Sequence, residues 1–151
     1  MALYPEPYFL KLVDLLKEAR IGVVSDPHTG PLYARVRDLY HAGVGIALGQ
    51  DDIADAYYPF GRNNLLEVAF LAAHLMWMTT FEDMEALYDL ITIKAAQVLG
   101  IEDFTLKEGS KANLVVLDAA SVWEGIWSHQ APLHVIKDGV EITHSQITSK
   151  P

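Results

Sequence analysis

The sequence has 151 residues and contains no cysteine. This absence excludes disulfide bonds, thiolate zinc sites and cysteine nucleophiles. Positive charge is also scarce, because 11 Lys and Arg residues stand against 20 Asp and Glu residues and give a formal net charge of −9. Nucleic acid and anionic membranes bind clustered Lys and Arg, so this charge balance argues against both partners.

Signals for export and for membrane insertion are also missing. The first residues show no basic segment followed by an apolar one, so we expect no signal peptide. The longest apolar run, residues 65–78, is shorter than the ~20 residues that span a bilayer, and Glu67 and His74 interrupt it. The sequence also has no phosphate-binding glycine loop, no G-x-S-x-G motif and no H-x-H pair. We therefore predict a cytoplasmic protein that binds neither nucleic acid nor membranes.

Hydrophobic periodicity predicts an α/β fold. We expect helices over residues 8–20, 32–41, 64–78, 82–99 and 120–128, and strands over residues 21–25, 44–48, 113–117, 133–137 and 140–143. The first two strands flank a helix with short connections, which is typical of a parallel β-α-β unit. Asp138-Gly139, between the last two strands, favours a type I′ hairpin turn. These patterns divide the chain into a parallel α/β segment, residues 1–106, and a β-rich segment, residues 107–151.

The end of the second predicted strand is the strongest candidate for a functional site. Gly49 and Gln50 follow this strand, and two adjacent carboxylates, Asp51 and Asp52, come next. The carboxyl ends of parallel strands converge on the ligand crevice of α/β proteins, so acids there are candidates for catalysis. The alternative interpretation is that Asp51 only accepts hydrogen bonds within the loop and that Asp52 is solvated.

The loop after the first predicted strand carries Asp26 and His28, which we expect on the same rim as Asp51. His28 is either a loop histidine without a partner or, with Asp26 and Asp51, part of a polar or metal site. Elsewhere, His74 is predicted to be a hydrogen-bonded core residue. The predicted core also includes three residues at the end of the same apolar run, Met76, Trp77 and Met78. Trp123 and Trp127 either pack against the β-rich segment or form an exposed patch.

Two strands do not make a sheltered parallel sheet, because such sheets need both faces and both edges covered. The predicted helices are also more apolar than two strands require. We therefore expect self-association or pairing with a complementary chain that buries the remaining apolar surface.

Two stretches of the sequence resemble cytosine deaminases and related members of the amidohydrolase superfamily. Residues 49–65 read GQDDIADAYYPFGRNNL, and residues 108–118 read EGSKANLVVLD, which is similar to the superfamily's G-x-x-A-N-L-v-v-l-D segment. The resemblance extends over residues 8–142. It implies a partial (β/α)8 barrel, made of the last two barrel strands with their helices, followed by C-terminal strands of a small β-sandwich.

Members of this superfamily use a divalent metal, zinc or iron, to activate water for attack on a ring carbon. The resemblance implies that Asp51 is the last-strand aspartate, which binds the metal or accepts the water's proton. It implies that Asp52, Tyr57 and Gln50 line the substrate, and that Gln50 replaces a histidine. We add His28 as a second candidate metal ligand because it shares the rim with Asp51.

The superfamily's H-x-H pair, middle-strand histidine and proton-shuttling glutamate have no counterpart in this sequence. We therefore predict a truncated cytosine-deaminase-like amidohydrolase that hydrolyses a small pyrimidine-like ring when another chain completes its site. Two alternatives remain open. One is a non-catalytic remnant that oligomerises or binds a partner without metal. The other is a new metal site built from Asp26, His28, Asp51 and Asp52 across an oligomer interface.

Overall fold

A computed structural model describes residues 3–51, 53–56 and 58–142. Its helices are α1 (Glu6–Ala19), α2 (Val36–His41), α3 (Leu65–Leu75), α4 (Phe81–Ile91), α5 (Ile93–Val98) and α6 (Val122–Ser128). Its strands are β1 (Val23–Ser25), β2 (Ile46–Leu48), β3 (Leu114–Val116), β4 (His134–Lys137) and β5 (Val140–Glu141). A 3-10 segment, Pro27–Leu32, connects β1 to α2. No helix in this described part has the length and apolar character that crossing a membrane requires.

The strands form two separate sheets. β1 and β2 pair in parallel with Val23 opposite Ile46, so the predicted β-α-β unit is present. β3, β4 and β5 form an antiparallel sheet, in which Lys137 pairs with Val140 across the predicted hairpin. Asp138 and Gly139 have φ values of 50° and 81°, the two positive angles that a type I′ turn requires. The mixed α/β fold is therefore confirmed, and its assignment to a partial barrel and sandwich stays a prediction.

Helix α4 lies at the centre of the core. It packs against α3, α5, α6 and β2. Its side chains Leu87 and Leu90 are completely buried, and they belong to the same hydrophobic cluster as Ile126 of α6. This cluster therefore combines side chains from the parallel α/β segment with side chains from the β-rich segment.

The predicted helix over residues 82–99 was wrong, because the structure divides it into α4 and α5. Thr92 joins the two helices with φ −127° and ψ −100°, which lie far from helical values. Its hydroxyl donates a hydrogen bond to the carbonyl of Tyr88 at 2.7 Å. Side-chain bonding of this kind competes with helical backbone bonds, which favours a break between the two helices at Thr92.

The end of α3 also differs from its prediction. Trp77 is 82% exposed with a φ of 53°, and Met78 is buried. The backbone N–H of Met78 donates to the carbonyl of Ala73 at 3.0 Å, which is the closing bond of a Schellman-type helix end. Trp77 occupies the left-handed position of this motif and points away from the core. His74 is also exposed, although it does make the expected hydrogen bond, to the carbonyl of Phe70.

Asp83 stabilises the start of α4 through a capping box. The Thr80 hydroxyl accepts the Asp83 N–H at 3.1 Å, and Asp83 Oδ2 accepts the Thr80 N–H at 3.2 Å. Burial alone would raise the pKa of Asp83, but these hydrogen bonds and Arg37, at 3.3 Å, outweigh it and lower the pKa below its usual value.

Replacing Asp83 by alanine should therefore lower the free energy of unfolding by about 1–2 kcal/mol at neutral pH. Because the folded-state pKa is depressed, this contribution is present above pH ~4 and is lost as the pH falls through the folded-state pKa. Urea unfolding at pH 7 and at pH 3 measures it. Glu85→Ala, on the exposed face of α4, is the matched control and should change stability by less than about 0.5 kcal/mol. An Asp83→Ala deficit of equal size at both pH values would contradict the assignment.

Candidate functional site

The candidate site lies where β1 and β2 end side by side. Ser25 pairs with Leu48, and the Gly49 N–H donates to the Ser25 carbonyl at 3.0 Å, which extends the pairing by one step. A Cβ at Gly49 would meet Cγ1 of Val24 at 2.8 Å, so a glycine is needed for this close approach. The loops that begin at Asp26 and at Gln50 therefore leave the sheet at one rim, as the sequence predicted.

Asp26 and His28 form a hydrogen-bonded pair at this rim. Asp26 Oδ1 accepts the backbone N–H of His28 at 2.9 Å and contacts the ring Nδ1 at 2.7 Å. A carboxylate beside Nδ1 favours the proton on that nitrogen, which leaves the Nε2 lone pair of a neutral imidazole available. The hydroxyl of Ser25 accepts the Ala34 N–H at 3.0 Å and anchors the far end of the loop. The strand end and the capping aspartate together fix the ring of His28.

In the described part of the chain, two side chains at this rim carry buried polar atoms that make no hydrogen bond. The His28 side chain is fully buried, and its Nε2 makes no hydrogen bond within the part of the chain that the structure describes. The same holds for both polar atoms of the Gln50 carboxamide. Leaving a buried donor or acceptor unsatisfied costs about 1–3 kcal/mol. His28 follows β1 and Gln50 follows β2, and these two strands are paired. Unsatisfied buried polar atoms at neighbouring strand ends are typical of a site that takes a polar ligand.

Tyr58 packs against the His28 side chain. Its ring packs edge-on against the His28 ring with centroids 4.3 Å apart. Burial, followed by the negative charges of Glu67 and Asp26, raises the pKa of Tyr58 above its usual value. The phenol therefore stays protonated at neutral pH and remains a hydrogen-bond donor. Tyr58 was not among the predicted site residues; its only sequence signal was its position beside Tyr57 in the segment that resembles the deaminases.

Asp51 is exposed and follows Gln50 directly at the rim. Within residues 3–51, 53–56 and 58–142, none of the hydrogen bonds or ion pairs joins Asp51 to His28. Asp52 and Tyr57, the other predicted substrate contacts, lie outside the described residues. The structure thus brings together Asp26, His28 and Tyr58. Asp51 lies at the same rim and is exposed to solvent.

The donor atoms at the rim fit part of a metal site. A carboxylate and an imidazole are ligands that zinc and iron accept, and His28 has the orienting carboxylate that metal-binding histidines usually have. Catalytic zinc, however, takes three protein ligands. In the described part of the chain, no group of three or more His, Asp or Glu side chains is arranged to hold a metal. The two predicted ligands, Asp51 and His28, do not by themselves make up such a set.

Comparison with known proteins identifies relatives over nearly the whole chain. A sequence model described as the amidohydrolase family matches residues 8–147. The chain is 28% identical over 144 residues to the N-isopropylammelide isopropyl amidohydrolase of Pseudomonas sp. (strain ADP). That alignment covers 95% of this chain and 36% of the relative.

Solved structures agree with this match. The 5-methylcytosine deaminase of Klebsiella pneumoniae, crystallised with 5-fluorocytosine, superposes with a TM-score of 0.86 at 29% identity, over 100% of this chain and 40% of its own. The N-isopropylammelide isopropylaminohydrolase of Burkholderia multivorans ATCC 17616 shares the fold, with a TM-score of 0.85 at 24% identity over 92% of this chain and 36% of its own. The chain spans about two fifths of the length of the relatives it matches.

Proposed function

Because the chain belongs to the amidohydrolase family, we propose that it forms part of a metal-dependent hydrolase that removes an amino or alkylamino group from a nitrogen-containing ring. The observation that carries this proposal is the placement of Asp51 at the carboxyl end of β2, beside the buried polar atoms of His28 and Gln50. The relatives support the substrate class, since their names describe a deaminase and an amidohydrolase of ring compounds. The remaining ligands and the rest of the substrate pocket come from other residues of the complete enzyme.

Each residue at the rim has a chemical role in this proposal. Asp51 accepts a proton from the attacking water as its oxygen bonds to the ring carbon, and returns that proton to the nitrogen as the C–N bond breaks. Water and the ring amine are thereby converted to a ring carbonyl and free ammonia or alkylamine. Gln50 offers one donor and one acceptor, which match the N–H and C=O edge of such a ring. Asp51 and His28 would be two of the metal ligands, and a metal held there would lower the pKa of its bound water towards ~7.

A grafted enzyme tests this proposal. The segment of the Klebsiella 5-methylcytosine deaminase that aligns with this chain is replaced by this chain, and the metal content of the product is measured. We expect about one zinc or iron per molecule. We also expect release of ammonia from 5-methylcytosine or of isopropylamine from N-isopropylammelide. A folded, metal-loaded graft that releases neither amine would contradict the proposal. The isolated chain should hold less metal than the graft.

A specific observation favours assembly as a second function. Strand β1 pairs only with β2 among the described residues, and Val24 on β1 is 55% exposed. Helix α1 also exposes Tyr8, Leu10 and Leu15, although its opposite face packs into the core. An open strand edge pairs with another strand, and exposed apolar side chains favour burial against a partner. We therefore propose that these surfaces bind a second copy of the chain or a complementary chain.

Replacing Val24 by lysine should weaken this association. A charge on the strand edge blocks pairing. Losing one valine from the buried interface should raise the dissociation constant about tenfold or more. Sedimentation equilibrium over a range of protein concentrations measures the change. Val115→Lys, at a similarly exposed position in the other sheet, is the matched control and should leave the constant unaltered. Wild-type protein that stays monomeric at every concentration would disprove self-association.

A further inference from the structure

A second cleft lies at the opposite end of the parallel strands. It has a volume of about 790 Å³ and opens where the chain enters β1 and β2, at residues 20–22 and 43–46. The carboxyl end of α1 forms one wall and α5 forms another. A Cβ at Gly22 would meet Cγ1 of Val98 at 2.8 Å, so the glycine allows α5 to approach the floor of the cleft. The cleft is separated from the Asp51 rim by the length of both strands.

The walls of this cleft carry positive charge. Lys17, Arg20 and Lys94 line it, and among the described residues that line it there is no Asp or Glu. In the described part of the chain, none of these three side chains takes part in the ion pairs, which involve Arg35, Arg37, Arg62, Lys137 and two histidines. The chain has a net charge of −9, so a cleft lined by three cations without ion pairs is a positively charged region on a negatively charged protein.

Helix dipoles explain only part of this arrangement. Lys17 and Arg20 lie at the carboxyl end of α1, where basic residues are favoured in any helix. Lys94 lies in the first turn of α5, where the dipole disfavours a positive charge. Lys94 is nevertheless half-buried, and it lines the cleft together with Lys17 and Arg20, which are exposed. A bound anion would offset the charge of Lys94.

The uncharged residues that line the cleft indicate which other groups a bound molecule would contain. Tyr40 and His41 line the cleft and pack edge to face, with ring centroids 5.8 Å apart. Gln97 adds an amide, and apolar atoms of Ile21 and Val98 complete the surface. Aromatic and apolar atoms beside cations suit a ligand with a flat organic body and an anionic end.

We propose that this cleft binds a phosphorylated small molecule of nucleotide size. The guanidinium of Arg20 presents paired N–H donors that match phosphate oxygens, and the ammonium groups of Lys17 and Lys94 add charge-assisted hydrogen bonds. A volume of about 790 Å³ lies in the range of small-molecule pockets. This site goes beyond the proposed hydrolase chemistry, because it uses other residues at the other strand ends.

Calorimetric titration of the intact chain with ATP, in EDTA and about 50 mM salt, tests the proposal. We expect ATP to bind with a dissociation constant in the micromolar range, pyrophosphate to bind more weakly, and adenosine not to bind detectably. Lys94→Gln should weaken ATP binding about tenfold. Lys17→Gln should act in the same direction and decides the outcome if the Lys94 variant does not fold.

Lys11→Gln is the matched control, because it removes the same charge from α1 at an exposed position outside the cleft. It should leave the dissociation constant for ATP within about twofold of the wild type. The proposal is overturned if wild-type protein shows no binding at about 1 mM ATP. It is equally overturned if Lys11→Gln weakens binding as much as Lys17→Gln, since the effect would then reflect net charge alone.

Discussion

Replacing Asp51 by asparagine should lower the turnover of the grafted enzyme by about 10³-fold, because a positioned general base contributes 10²–10⁴-fold to such reactions. Asparagine has the size of aspartate but cannot accept the proton of the attacking water. It is also a weaker metal ligand, so the metal content should fall together with the rate. Steady-state release of ammonia, measured beside metal analysis of the same sample, separates the two effects.

Two further variants serve as controls for the Asp51→Asn experiment. Asp51→Glu retains the carboxylate and should recover part of the lost rate, whereas Asp103→Asn makes the same substitution at an exposed position far along the chain and should have no effect. Asp103 has a φ of 60°, which asparagine tolerates well. Asp51→Asn protein that keeps more than about a tenth of wild-type turnover would remove Asp51 from the reaction.

Truncation of Leu90 to alanine should produce the largest loss of stability, about 3 kcal/mol. Leu90 is fully buried in α4, the helix that contacts α3, α5, α6 and β2. The cavity left behind is surrounded by several elements, so it cannot close by the movement of one side chain. Urea unfolding followed by circular dichroism measures the difference.

Leu99→Ala is the control for this experiment. Leu99 is 65% exposed at the end of α5, so its truncation should change the free energy of unfolding by less than about 0.5 kcal/mol. A loss below about 1 kcal/mol for Leu90→Ala would mean that α4 is not the centre of the cooperative core.

Much of the fold was predictable because the signals were local. The spacing of apolar residues and the short connections predicted the parallel β1–β2 pair, and Asp138-Gly139 predicted the hairpin. The break at Thr92 was not predictable, since neither glycine nor proline marks it. Trp77 was assigned to the core because it stands in an apolar run, yet it takes a left-handed position that glycine usually occupies. These errors arose where an ordinary side chain adopts a backbone conformation without its usual sequence signal.

The candidate site was predictable in position but not in detail. Strand ends indicated that the loops of Asp26 and Gln50 share a rim, and the pairing of Ser25 with Leu48 places them there. Tyr58 packs against His28 from the following loop, and no local pattern predicts such a contact. The roles of Asp51, Asp52 and Tyr57 rest on the resemblance and stay predictions.

The central position of α4 also determines when the chain folds during synthesis. The β1–β2 pair and the helices up to α5 leave the ribosome before α6, yet α6 covers faces of α3 and α4 and supplies Ile126 to the shared cluster. Until about residue 128 has emerged, those faces remain open to solvent. During that stage the nascent chain exposes apolar surface, which makes it prone to aggregation.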